Sequence, residues 1–374
     1  MRMKRYGAVA VALAGLLTLA ACGSNSSSGG GNSTSSNGSS GGKNGTVGVI
    51  LPETATSARW EGFDRPMITK ALNAEGFDAD VENAQGDVQK FSTLADGMIA
   101  KGVKVLLIAS INSEVGNAVA AKAHKAGIPT IDYDRLNLGG SSDYYVSFDN
   151  VKVGALQGQA MADALKAKPA AQVIEIEGAP TDNNATLFHQ GQEQVLKPLY
   201  DSGALKLVAS QAIDGWDNQK GGETFEQLLT TNGNKIDGVV ASNDGLAGAI
   251  VTVLKKNGLN GKVPVTGQDA TTDGLKAVLR GDQYMTVFKP IQDEANAAAK
   301  LAADLAKGDK AAADAVATAS SQDPKGNRTV KSVLLDPHTV TRDQVKTVVD
   351  QGYVKASDLC SGDVSSVCTQ LGIS

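Results

Sequence analysis

Two kinds of hydrophobic pattern alternate along the chain after residue 45. Short runs that are continuously apolar, such as residues 49–51 and 105–108, alternate with longer stretches in which apolar residues recur at helical spacing. A strand that is apolar on both faces is typical of a parallel sheet with helices on each side. The pattern therefore predicts an α/β fold.

The predicted elements fall into two successive series. The first has strands 47–51, 78–81, 105–108 and 130–132, with helices 60–75, 88–101 and 114–126. The pattern restarts after Asn150. The second has strands 173–177, 205–209, 238–241, 263–266 and 285–288, with helices 151–165, 188–200, 218–231, 246–257, 272–280 and 292–307. Two series of similar length predict two doubly wound lobes, each built on a parallel sheet.

Residues 1–22 have the organisation of an export signal. Positive charges precede an apolar run at residues 8–21, which is shorter than the roughly 20 residues of a membrane span. The run ends in two alanines followed by Cys22. This ending resembles the lipobox of bacterial lipoproteins, which implies a lipidated Cys22. The alternative is a buried N-terminal helix with an incidental cysteine.

Residues 23–45 are Gly, Ser, Asn or Thr except for Lys43. Without apolar side chains this segment cannot offset the entropy of ordering, so it is predicted to be a flexible tether. Its root-mean-square span is about 26 Å. The signal and tether together predict an exported protein that is lipid-anchored to the outer face of the cell membrane.

Charge, histidines and cysteines narrow the possible functions. The formal net charge is −5 and no basic stripe appears, which disfavours nucleic-acid binding. The three histidines lack metal-ligand spacing, so neither a metal nor a cofactor is expected. Cys360 and Cys368 lie eight residues apart in a polar tail. Export makes a disulfide between them the favoured prediction, with two free thiols as the alternative.

Polar and aromatic residues follow nearly every predicted strand. In open α/β sheets, ligands bind at the carboxyl ends of the strands, so these residues are expected to face a binding site. Both tryptophans of the chain, Trp60 and Trp216, belong to the set. An indole stacks on the C–H face of a pyranose, and carboxylates, amides and cations hydrogen-bond to hydroxyl groups. The alternative is that these residues are ordinary helix caps and turns.

Several strings at these positions resemble the D-xylose-binding proteins of bacterial sugar ABC transporters. The resemblance covers residues 47 to about 350 and rests on Tyr133-Asp134-Arg135, Asp182-Asn183-Asn184-Ala185, Asp214-Gly215-Trp216, Ala241-Ser242-Asn243-Asp244, Gly267-Gln268-Asp269-Ala270 and Lys289-Pro290-Ile291. It implies a type I periplasmic-binding-protein fold. It also implies a sugar held by Arg59, Trp60, Asp134, Arg135, Asp182, Asn184, Trp216, Asn243, Asp269 and Lys289.

Two segments depart from the family pattern. Residues 53–58 are less charged than expected, which leaves the preferred sugar open, and the tail with both cysteines is an extension. The resemblance implies a first lobe of residues 46–150 with 289–322 and a second lobe of residues 151–288 with 323–374. Three crossings, near residues 150, 288–289 and 322, would form the hinge.

The function implied by the resemblance is capture of a monosaccharide between closing lobes by a monomeric, non-enzymatic protein. D-xylose is the first expectation, with glucose or another aldose as the alternative. The closed protein would dock on a membrane permease driven by an ATPase.

Three other functions stay open from the sequence. A glycoside hydrolase could use Asp134 and Asp269 as acid and base. A sugar-responsive repressor shares such a core but needs a DNA-binding headpiece. A sugar-sensing receptor subunit is the third.

Overall fold

The computed structural model describes residues 44–374. The predicted export signal, Cys22 and residues 23–43 of the predicted tether lie outside the described residues. Within residues 44–374, no helix combines the length and the apolar character that crossing a membrane requires.

Strands and helices alternate along the described chain. The strands are β1 (Thr46–Leu51), β2 (Asp78–Asn83), β3 (Leu106–Ile108), β4 (Thr130–Tyr133), β5 (Tyr144–Phe148), β6 (Ala171–Glu177), β7 (Leu205–Ala212), β8 (Gly238–Ala241), β9 (Met285–Phe288), β10 (Ala319–Asp323), β11 (Arg328–Leu335) and β12 (His338–Thr341). The helices are α1 (Arg65–Ala74), α2 (Val88–Lys101), α3 (Ser113–Lys125), α4 (Asn150–Leu165), α5 (Asn183–Asp201), α6 (Asn218–Thr231), α7 (Asp244–Lys256), α8 (Thr272–Arg280), α9 (Ile291–Ala306), α10 (Lys310–Val316), α11 (Val345–Asp350), α12 (Ala356–Leu359) and α13 (Ser365–Gln370). Short π-helical and 3₁₀ turns lie at Trp60–Asp64 and Asp214–Trp216.

Two sheets, in which most strand pairs are parallel, form the centres of the two predicted lobes. The first has the strand order β10-β11-β5-β4-β3-β1-β2, and all its pairs are parallel except β10 with β11. The second has the order β7-β6-β8. The strand predicted at residues 263–266 is reduced to one bridge between Val265 and Val239. β9 and β12 form a separate antiparallel pair.

The third crossing between lobes lies later in the chain than predicted. Residue 322 lies inside β10, and β11 pairs in parallel with β5 of the first sheet. β12 then pairs with β9, so the chain leaves the first sheet after Leu335. The first segment assigned to the second lobe, residues 323–335, therefore belongs with the first sheet. We propose lobe boundaries at residues 149, 289 and 336–337.

Continuously apolar strands are buried on both faces, as the doubly wound prediction requires. Val47, Val49 and Leu51 of β1 pack into one apolar cluster, while Ile50 of the same strand packs into another. Helices therefore cover both faces of this sheet. The rigid sheet holds its strand ends, and the loops that follow them, in fixed positions.

A further apolar cluster joins the hinge to the C-terminal segment, defined here as residues 345–374. Phe148 and Phe288, at two of the crossings, pack into this cluster together with Tyr353 and residues of α8. Within the C-terminal segment, the structure pairs Cys360 with Cys368. The tail is therefore a packed part of the described chain.

Candidate ligand-binding site

All ten residues predicted from the sequence line one cavity. The cavity also has Glu53, Thr56, Ser57, Phe188 and Gln268 in its wall. Its lining comes from the loops after strands of both lobes: Asp134 follows β4, Asn243 follows β8 and Lys289 follows β9. The residues predicted from the rule that ligands bind at the carboxyl ends of strands therefore lie together around one cavity.

Two of the predicted residues also act as helix caps. The side chain of Asp182 accepts a hydrogen bond from the backbone N–H of Asn184 at the start of α5. Asn243 accepts from the backbone N–H of Leu246 at the start of α7. Asp182 and Asn243 can therefore cap a helix and line the cavity at the same time, because the cap of a helix that follows a strand lies at the carboxyl end of that strand.

Arg59 is held by buried carboxylates. Its Nη1 lies 2.7 Å from Asp134 Oδ2, and its Nη2 lies 2.8 Å from Asp64 Oδ1 and 3.0 Å from Glu294 Oε2. Tyr133 donates its hydroxyl to the same Asp64 oxygen at 2.7 Å. A buried guanidinium is tolerated only when it is paired in this way. The network fixes Arg59 in the wall of the cavity.

The neighbouring charges set the ionisation of Asp134. Burial alone would raise its pKa, but Arg59, Lys289 and Arg135 together hold the pKa of Asp134 below its usual range. Burial, with Asp134 nearby, raises the pKa of Glu294 well above its usual value. Asp134 is therefore an ionised hydrogen-bond acceptor at neutral pH.

Contacts between the lobes surround the cavity. Arg135 Nε of the first lobe lies 3.0 Å from Asp182 Oδ2 of the second. Asn184 donates to the backbone oxygen of Asp134 at 2.9 Å. Lys289 Nζ, at a crossing, lies 3.0 Å from Asp269 Oδ1 and 3.9 Å from Asp134 Oδ2. The lobes are thus closed on each other around the lining residues.

The two tryptophans have different surroundings. Trp60 has the guanidinium carbons of Arg59 and Arg135 over its ring at 4.5 and 5.2 Å from the centroid. Trp216 donates its Nε1 hydrogen to Asp182 Oδ2 at 3.1 Å and meets Phe188 edge-on. Of the two rings, Trp216 is therefore the one fixed by a hydrogen bond and less covered by cations.

Backbone strain and unpaired atoms collect at the cavity. Asp134, Trp216 and Asp269 have φ values of 60°, 58° and 99°, which are costly for residues other than glycine. The buried Trp60 Nε1 and Gln268 Oε1 have no hydrogen-bond partner among the described residues. A buried donor and a buried acceptor left without partners indicate that this cavity is built for a polar ligand.

The comparisons with known proteins agree with this geometry. A family model described as a periplasmic binding protein domain matches residues 47–310. The chain belongs to this family. The fold of this periplasmic binding protein is therefore the predicted type I fold, as its structural neighbours also show.

Relatives of this binding protein are named for sugars. It is 40% identical to the D-xylose-binding periplasmic protein of Escherichia coli K12 over 80% of this chain and 88% of that protein. It is 36% identical to the multiple sugar-binding periplasmic receptor ChvE of Rhizobium radiobacter, over 84% of this chain and 92% of the receptor.

Solved structures with a similar fold also include sugar-bound proteins. An ABC transporter solute-binding protein from Clostridium phytofermentans with bound β-D-glucose has a TM-score of 0.74 and 30% identity, over 84% of this chain and 99% of that one. A carbohydrate-transporter solute-binding protein from Chloroflexus aurantiacus in complex with D-glucose has the same TM-score and 29% identity, over 83% and 97%. These homologues are binding proteins and not enzymes, which confirms that expectation.

The predicted site of this binding protein was incomplete. Asp64 and Glu294, which hold Arg59, lie inside helical turns whose sequence gives no sign of a buried pair. Phe188 has the apolar spacing of a core residue, and Glu53 lies in a loop without a motif. Gln268 was detectable, because it directly precedes Asp269 at the end of a predicted strand.

Proposed function

We propose that this chain is an exported lipoprotein that captures a monosaccharide between its two lobes and delivers it to an ABC-type sugar permease. The observation that carries the proposal is the composition of the cavity wall. Three cationic side chains, four carboxylates, three amides and two indoles line one cavity. Paired donors and acceptors beside an aromatic ring suit a neutral ligand with many hydroxyl groups.

D-xylose is the sugar we propose first. Two relatives named as D-xylose-binding periplasmic proteins are 40% and 39% identical to this chain. The alternative is glucose, because structural neighbours at 30% and 29% identity carry it, or another aldose. A sugar-sensing receptor role at the same site is compatible with either ligand.

The surroundings of Asp134 and Asp269 do not favour a glycoside hydrolase, the enzyme that would use them as acid and base. A general acid must hold a proton near neutral pH, which needs a raised pKa. The pKa of Asp134 is lowered, and Asp269 is ion-paired with Lys289 at 3.0 Å. Both groups therefore suit acceptance of hydrogen bonds from a ligand.

Binding would proceed by hinge closure. The ligand docks between open lobes, and its contacts with the second lobe favour the closed form in proportion to its differential affinity. A pentose has ten heavy atoms, and a ceiling of about −1.5 kcal/mol per atom sets a limit near −15 kcal/mol. Micromolar affinity needs only about −8 kcal/mol and is well within reach.

The anchor, the partners and the tail complete the proposal. Cys22 would carry the lipid, and the tether would keep the monomeric body close to the permease and its ATPase, which raises the local concentration. The Cys360–Cys368 pair would be a disulfide in this oxidising location. A thiol titration without reductant should find no reactive thiol in the described chain, and two would contradict the disulfide.

Isothermal titration calorimetry with a panel of pentoses and hexoses tests the proposed ligand. We expect heat of binding with D-xylose and a smaller or absent heat with most other sugars. Tightest binding to glucose would replace D-xylose within the same function. No heat with any monosaccharide at millimolar concentration would contradict sugar binding altogether.

A further inference from the structure

Tyr353 of the C-terminal segment contacts aromatic residues that are close in sequence to cavity-lining residues. Its ring stacks on Phe63 of the first lobe, with ring centroids 4.3 Å apart and planes 6° apart. The same ring meets Phe288 edge-on at 4.9 Å. Phe63 lies three residues after Trp60, and Phe288 directly precedes Lys289. Tyr353 lies beyond the family-model match, which ends at residue 310.

The hydroxyl group of Tyr353 holds a strained residue of the site. It donates to the backbone oxygen of Asp269 at 3.2 Å. Asp269 has a φ of 99°, a conformation that L-residues adopt only when their surroundings impose it. The backbone N–H of Asp269 is held by Val287 O at 2.8 Å. Tyr353 therefore fixes the carbonyl group of Asp269, whose N–H group is already fixed by Val287 of β9.

The orientation of Asp269 determines where its carboxylate lies in the cavity wall. Its carboxylate lines the cavity and lies 3.0 Å from Lys289 Nζ, which is 3.9 Å from Asp134 Oδ2. A change in the Asp269 backbone would move this chain of charges relative to a ligand. A site binds well only when the residues behind it hold its polar groups in place.

The C-terminal segment gives Tyr353 a firm support. Residues Val348, Leu359 and Val364 of this segment pack into the same apolar cluster as Leu275 and Val278 of α8. α8 begins at Thr272, three residues after Asp269. The tail thus rests on the second lobe while the Tyr353 ring reaches Phe63 of the first.

We infer that Tyr353 is a positioning residue for ligand binding, which holds Asp269 in its binding conformation and joins the C-terminal segment to the closed lobes. Its effect on affinity rests on the proposed sugar-binding function. Its effect on the Asp269 backbone does not depend on any ligand. The two effects can therefore be measured separately.

The test compares Tyr353→Phe with a matched control, Tyr144→Phe. The first removes the hydroxyl but keeps both ring contacts. The control removes a tyrosine hydroxyl that donates to Asp314 Oδ1 at 2.6 Å, away from the cavity lining. In the ligand-free protein, Tyr353→Phe should speed amide hydrogen exchange across residues 267–271, and Tyr144→Phe should not. Tyr353→Phe should also weaken binding of the preferred panel sugar about three- to tenfold, with Tyr144→Phe within about twofold of the parent.

Each outcome decides the inference. Faster exchange together with weaker binding supports it. Unchanged exchange overturns it, and so does faster exchange with unchanged affinity, because Tyr353 would then serve folding alone. If the parent protein binds no sugar, the proposed function fails, while the exchange measurement still decides whether Tyr353 holds Asp269.

Discussion

At the scale of single residues, the glycine at position 178 determines where the indole of Trp216 can lie. A Cβ atom added to Gly178 would lie 2.1 Å from Trp216 Cη2, closer than any real contact. The indole is held from the other side by its hydrogen bond to Asp182 at 3.1 Å. The ring therefore has one position, and a residue with a side chain at 178 would displace it.

Removing the Trp216 ring tests whether the ligand stacks on it. We expect Trp216→Ala to weaken sugar binding by about 2 kcal/mol or more, because buried aromatic contacts dominate binding energies. Calorimetry with the preferred sugar measures the change. An unchanged affinity would remove Trp216 from the binding surface.

Displacing the ring without removing it gives a second, independent test. Gly178→Ala should weaken sugar binding at least about tenfold, since the added methyl group forces the indole out of its position. The matched control is Gly248→Ala on α7, where an added Cβ meets nothing within 4 Å. The control should keep the parent affinity and gain up to about 1 kcal/mol of stability from the helix preference of alanine. Equal affinities for the two variants would contradict the proposed position of the ring.

The sequence predicted the residues that line the cavity but not the residues behind them that hold those side chains in place. Asp134, Asn243 and Lys289 were found because strand ends of parallel sheets meet at one edge. Asp64 and Glu294 were missed because a buried ion pair depends on which helices pack together, and local patterns carry no such information. The residues that line the cavity were thus predictable, whereas the residues that hold them in place were not.

At the scale of elements, strand composition explains which parts of the fold were predictable. Helix α6 runs from residue 218 to 231, as predicted, because its spacing and its capping residue Asp217 mark it clearly. β10 consists of Ala-Ser-Ser-Gln-Asp at the edge of the first sheet and has no apolar run. β11 alternates buried and exposed residues, unlike the apolar central strands. Neither β10 nor β11 has the continuous apolar run that marks the central strands, so both were missed, and the third crossing was misplaced with them.

The contact between β6 and α5 predicts a pH-dependent stability. Burial and the neighbouring Glu177 raise the pKa of Glu175 from 4.5 to about 7, and Tyr200 donates to it at 2.8 Å. An acid with a higher pKa in the folded chain binds more protons when folded. Its ionisation therefore destabilises the fold as pH rises from about 4.5 to about 7, by up to about 3 kcal/mol.

Glu175→Gln should remove this loss while keeping an acceptor for Tyr200. We expect the variant to gain stability relative to the parent at pH 8 and to gain little at pH 4.5. The gain in stability is partly offset by His189, whose pKa is raised to about 9 by its hydrogen bond to Glu177 and also by the charge of Glu175. Removing the Glu175 charge removes part of this favourable interaction. Urea unfolding at both pH values measures it, with Glu114→Gln, an exposed position on α3, as the control. A stability difference that is the same at both pH values would contradict the burial argument.

At the scale of the whole molecule, the lobes also meet through Asn218, whose side chain does not line the cavity. Asn218 at the start of α6 donates to the backbone oxygen of Thr56 at 3.1 Å. The loop around Thr56 is shaped by Glu53, whose carboxylate accepts from the backbone N–H groups of Thr56 and Ser57 at 2.7 and 3.1 Å. Gly245 leaves room for this approach, since an added Cβ would lie 2.8 Å from Thr56 O. This contact joins the two lobes in the closed arrangement.

Because the Asn218 side chain does not line the cavity, it would act on binding through its contact with the Thr56 loop, which joins the closed lobes. Asn218→Ala should raise the dissociation rate of the sugar about three- to tenfold and leave the association rate nearly unchanged, since the lost hydrogen bond forms only after docking. Stopped-flow tryptophan fluorescence measures both rates. The control is Gln219→Ala, the next residue on α6, whose side chain donates to Glu223 at 2.8 Å on the exposed surface. If both variants release the sugar at the parent rate, the contact between Asn218 and Thr56 does not stabilise the closed form, and the contacts that line the cavity account for closure by themselves.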